Sequence, residues 1–173
     1  MPPPKSLSVS VVLVRWLPLV AFCAVIAHHF WFLNNHAINI PFHDDIYDFL
    51  QFVSLVETAD GPAEAFEAWF RQYNDHRTNA SRLLVYGAYL IEGEVNFRTL
   101  TFLANLALPL ILLLFYMSVR DEEYCWIFLL VAALLLLNLR SYTLVLWSQP
   151  AFAYYGVTFY AFACLFALHK VTL

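Results

Sequence analysis

Three short clusters hold most of the side chains able to do chemistry. The first, Pro41-Phe42-His43-Asp44-Asp45-Ile46-Tyr47-Asp48, places three carboxylates almost side by side. On a helix Asp44 and Asp48 are four positions apart and Asp45 and Asp48 three apart, so all three would share a narrow arc. Charges that close repel unless a proton, an arginine or a cation relieves them. Carboxylates are also the hard oxygen ligands that Mg²⁺ or Mn²⁺ prefers. A helix start, with acidic residues near the positive end of its dipole, accounts for the same pattern without any chemistry. The second cluster is Gln72-Tyr73-Asn74-Asp75-His76-Arg77. A histidine between an aspartate and an arginine suits a positioned acid–base group or a phosphate-binding pair. Its plain alternative is a polar loop whose Asn79 or Ser81 caps the next helix. The third is Trp147-Ser148-Gln149-Pro150, where two apolar runs meet and Trp147 reads as an interface anchor. The sequence contains no Walker loop, GxSxG elbow, HExxH or CxxC pattern. Cys23, Cys125 and Cys164 lie in apolar runs and read as small buried hydrophobes. His28 and His29 read as interface markers without a role.

The elements that must position these clusters are apolar helices. Of 173 residues 62% are hydrophobic and 13% charged, against roughly 25% charged in a soluble domain. So much apolar surface cannot be hidden in one small core, which points to lipid as the solvent. The expected fold is therefore an all-α membrane protein with about four transmembrane helices and short amphipathic helices in a long first outer loop. The apolar runs are 11–33, 100–117, 124–139 (reaching Arg140, with an end as late as Trp147) and 151–168. The first continues past a small-residue site at Val25-Ile26-Ala27, which favours an uncleaved anchor over a signal peptide. Between them, apolar spacing predicts helices over 46–57, 63–73 and 79–91, broken at Asp60-Gly61-Pro62 and Glu92-Gly93-Glu94. The chain thus divides into 1–33 (tail and first helix), 34–98 (extracytoplasmic loop) and 99–173 (three further helices). Ten of the 13 acidic residues fall between Asp44 and Glu94, and no basic run marks a nucleic-acid partner. Lys5, Arg15, Arg120 and Lys170 would share one side of a four-span topology, the cytoplasmic one by the positive-inside rule, with Arg140 dissenting. Residues inside the membrane look poor in charge, and the runs, with Pro109 inside the second, lack the paired, interrupted helices of a repeat-built transporter, which argues against a channel or such a transporter.

Taken in order, the clusters resemble the N-terminal portion of bacterial C-type (GT-C-like) glycosyltransferases, polytopic membrane enzymes that use lipid-phosphate sugars. The acidic pair Asp44-Asp45 matches the acidic motif these enzymes carry after their first span. Asn74-Asp75-His76-Arg77 is similar to an Asn-Glu-His-Arg segment found in many members, with Asp in place of Glu. The resemblance covers the whole chain, though its motifs are short and members usually have more spans. It implies a glycosyltransferase-like protein of the bacterial inner membrane and cell envelope, moving a sugar from a polyprenyl-phosphate donor to an extracytoplasmic acceptor. Asp44 or Asp45 would be the catalytic base, His76 and Arg77 would bind the donor phosphate, and Asp48 would help hold a divalent cation (Mg or Mn). The smaller number of spans reads as the front part of such an enzyme, a fragment that a second polypeptide would complete. A non-enzymatic scaffold or accessory subunit of an envelope complex is the competing expectation.

Overall fold

The computed structural model describes residues 9–73 and 78–171, with side chains from residue 16 onward. Its described residues form helices and no strand. Four segments are long and apolar enough to cross a bilayer: Trp16–His36, Phe97–Val119, Cys125–Leu146 and Ser148–Val171. This matches the all-helical expectation and is compatible with an integral membrane protein. The first belongs to α1 (Val9–His36), whose 28 residues reach about 42 Å at 1.5 Å each, beyond a hydrocarbon core of roughly 30 Å.

The third of the four segments is broken, whereas the second stays helical through Leu106, whose N–H reaches the Phe102 carbonyl and whose carbonyl accepts the Leu110 N–H. The second consists of α5 (Phe97–Asn105) and α6 (Ala107–Val119), joined at Leu106. Pro109 has no N–H to give the Asn105 carbonyl, which loosens the helix there. The third consists of α7 (Cys125–Leu136), a 3₁₀ turn (Leu139–Ser141) and α8 (Tyr142–Leu146). Asn138 is extended and its side chain accepts the Arg140 N–H at 2.8 Å, restarting the chain as a new cap. An asparagine that can hydrogen-bond its own backbone competes with the helix, and the surrounding leucines conceal the break from hydropathy. Trp147 is again extended, and α9 (Ser148–Val171) completes the described chain.

Helix α1 packs chiefly on α7, while α5 and α6 pack on α9. The loop between α1 and α5 holds a π-helical segment (Asp45–Leu50) running into α2 (Gln51–Glu57), then α3 (Pro62–Phe70) and α4 (Asn79–Glu92). Three helices lie where the apolar spacing predicts them, and Gly93 closes α4 at φ 77°, the left-handed region glycine enters freely. Phe49, Phe52, Val53 and Val85 of the loop share one core with Phe97, Leu100, Ala151 and Phe152 at the ends of α5 and α9. The loop is therefore fastened to the bundle by a common apolar core.

Two sequence expectations are corrected here. His29 is not an interface marker: it is 1% exposed, and its Nε2 donates to Asn105 Oδ1 at 3.0 Å. The Asn105 amide donates to the Thr101 and Val145 carbonyls at 2.9 and 2.8 Å, which fixes its oxygen toward the histidine. Polar side chains thus tie α1, α5 and α8 together inside the bundle, where the sequence reading placed none. Of the cysteines only Cys125 is buried; Cys23 and Cys164 are exposed on the faces of apolar helices.

Candidate functional site

The three aspartates do not share an arc. Asp45 and Asp48 lie in a π-helical turn, whose wider i→i+5 spacing opens the angle between positions three apart, and Asp44 stands just before it. Each carboxylate consequently meets different partners. Asp45, 2% exposed, accepts from Ser148 Oγ at 2.5 Å and from the Gln149 N–H at 2.9 Å through Oδ1. Its Oδ2 accepts the Phe42 N–H at 3.0 Å. Burial pushes this carboxyl above the usual carboxylate range, and the bonds from Ser148, Phe42 and Gln149 pull it only part of the way back. Asp45 therefore acts as a clasp between the loop and the first turn of α9.

Asp48 is fully buried. Its Oδ1 accepts from Thr78 Oγ1 at 2.8 Å and from Arg82 Nε and Nη2 at 3.1 and 2.9 Å. Arg82 Nη1 turns the other way, to the carbonyls of Ala68, Trp69 and Arg71 at 3.3, 3.3 and 2.6 Å. These are acceptors that the end of α3 leaves open. The guanidinium also lies 5.2 Å from the centre of the Phe52 ring. One buried cation thus joins α2, α3 and α4. Thr78, not Asn79 or Ser81, takes the capping position of α4, and it spends its hydroxyl on Asp48.

Asp44 is half-buried, and its Oδ1 accepts from Tyr73 Oη at 2.5 Å. Of the three carboxylates it is the one that lines a groove of about 1040 Å³. Tyr73, Trp147 and Gln149 share the groove with it at the loop end, and Ala153, Tyr154, Val157 and Thr158 continue it down α9. Trp147, read from sequence as an anchor, packs edge-on to Phe42 at 4.9 Å, with His43 at 5.8 Å. Its indole N–H is buried without an acceptor among the described residues. His43 holds φ 43°, a conformation that non-glycine residues rarely adopt.

His76 and Arg77, expected at the donor phosphate, lie outside the described residues. No group of three or more His, Cys, Asp or Glu side chains converges among the described residues. With Asp48 given to Arg82 and Asp45 to α9, the described residues do not fit a cation shared by the three aspartates. Sequence reasoning assigned nothing to Tyr73, Arg82, Ser148 or Gln149. For Arg82 a signal existed: it is the sole charge in the apolar stretch 79–91, and a buried charge needs a partner. Comparison with family models, with curated proteins and with solved structures finds no match to this chain.

Proposed function

We propose that this chain is a glycosyltransferase-like protein of the bacterial inner membrane, with residues 34–98 on the periplasmic side and the N-terminus in the cytoplasm. In this reading it takes a sugar from a polyprenyl-phosphate donor. Asp44 is the base, accepting the proton of the acceptor hydroxyl as that oxygen attacks the anomeric carbon and the bond from this carbon to the phosphate oxygen breaks, the polyprenyl phosphate leaving with the electron pair. The carrying observation is that Asp44 lines the groove while Asp45 is bonded to α9 and Asp48 is buried with its Oδ1 on Arg82. The groove's lining also suits an amphiphile, with a carboxylate, a phenol and an amide at one end and Ala153 and Val157 along the helix. His76 and Arg77 supply the donor-phosphate contacts, since a guanidinium can bind two phosphate oxygens together.

The reading is tested with purified protein in detergent and a panel of polyprenyl phosphates with and without sugar. Saturable binding that weakens in Arg77→Ala is expected, together with transfer that falls by about 10²–10⁴-fold in Asp44→Asn at unchanged membrane expression. Failure to bind any lipid, with Asp44→Asn fully tolerated in cells, points instead to the accessory-subunit role.

A further inference from the structure

The Trp-Ser-Gln-Pro segment contains a second group whose placement calls for a ligand. Gln149 is 7% exposed and lines the groove together with Asp44. Its backbone N–H is fixed by Asp45 Oδ1 at 2.9 Å, and Pro150 follows it in the first turn of α9. Its position is therefore set from outside the groove by bonds that leave the side chain uncommitted. Its carboxamide has no hydrogen-bond partner among the described residues. The amide opens on the groove, so its donors and its acceptor are available to polar atoms that arrive with a ligand.

The geometry points to Gln149 as a specificity-determining residue that recognises the hydroxyl groups of the sugar in this groove. The argument is chemical. A carboxamide both donates and accepts, so it pairs with hydroxyls, which do the same. The Asp44 carboxylate lining the same groove favours a neutral, donor-rich ring over a second anion. Trp147 and Tyr154 add flat apolar faces to the wall, suited to the carbon face of a pyranose. Asp45 then has an indirect part, since it holds the Gln149 main chain and is a positioning residue.

This inference rests on the transferase reading, and one experiment separates the two. Wild type, Gln149→Met and Gln149→Asn are titrated in nanodiscs with farnesyl phosphate and with farnesyl-phosphoryl-mannose. Methionine keeps the length and loses the hydrogen bonds, while asparagine keeps the amide and shortens its reach. The wild type is expected to bind the mannosyl lipid more tightly. Gln149→Met should lose about tenfold of that affinity, equivalent to about one hydrogen bond, and keep its affinity for farnesyl phosphate. Gln149→Asn should fall between them. A Gln149→Met protein that binds both lipids as the wild type does overturns the role of Gln149 and leaves the transferase reading standing. Wild type that binds neither lipid overturns both.

Discussion

At the scale of single residues, the same side chain type does two jobs because its neighbours differ. Asp45 has three donors and almost no water, and burial outweighs the donors. Its proton is therefore held more tightly in the folded chain than in the unfolded one. As pH rises from the ordinary carboxyl value of 3.8, the unfolded state gives up this proton first, and stability falls until the raised folded value is passed. Above that the contribution is level. Apparent melting temperature in detergent, followed from about pH 4 to 8, should decline more steeply in the wild type than in Asp45→Asn, which has no proton to lose. A wild-type curve that rises across this interval relative to the mutant would show the opposite sign and refute the account. The acidic cluster was plain in the sequence. The assignment of Asp44 to the groove was not, because it depends on Ser148 and Gln149, 103 and 104 residues beyond Asp45, and on Tyr73, 29 residues beyond Asp44.

Among the elements, the three loop helices are held by a shared core, by the Tyr86 Oη bond to Glu57 and by one buried cation. Arg82 serves α3 through its carbonyls and the π-helical turn through Asp48. Removing only one partner strands a buried charge, which costs about 3–5 kcal/mol, whereas replacing both with apolar groups of similar size costs far less. Arg82→Met and Asp48→Leu should each lower the melting temperature sharply, and the double variant should recover much of the loss. Additive effects in that cycle would mean that the two side chains are not coupled. The recovery should stay incomplete, because Thr78 and the α3 carbonyls also lose their partner. Helix positions in the loop could be read from the sequence, since apolar spacing and the Gly61-Pro62 and Gly93 breaks are local signals. The interruption after Leu136 could not, because one asparagine inside a run of leucines barely changes hydropathy while its side chain redirects the backbone.

For the whole molecule, the order of helices fixes which parts can meet. The loop and the start of α9 are joined by Asp45, so the 147–148 junction lies at the loop end and the 120–124 connection at the other. That alternation follows from four long apolar helices with short links, which is why the sequence already conveyed it. The proposed orientation rests on the charges. Arg120 lies in the connection opposite the loop, and Lys170 ends α9 on that same side. Arg140 opposes this choice. In the structure it belongs to the broken third segment, six positions before Leu146, within about 9 Å of the helix end, where a long cationic side chain can reach the headgroups. The orientation can be read with single cysteines after Cys23, Cys125 and Cys164 are changed to serine. Glu67→Cys on exposed α3 should react with a membrane-impermeant maleimide in spheroplasts, and Glu122→Cys only after lysis. The reverse pattern would place the groove and Asp44 on the cytoplasmic side and remove the extracytoplasmic acceptor from the proposed reaction. Labelling of both without lysis would mean that the four helices do not cross the membrane.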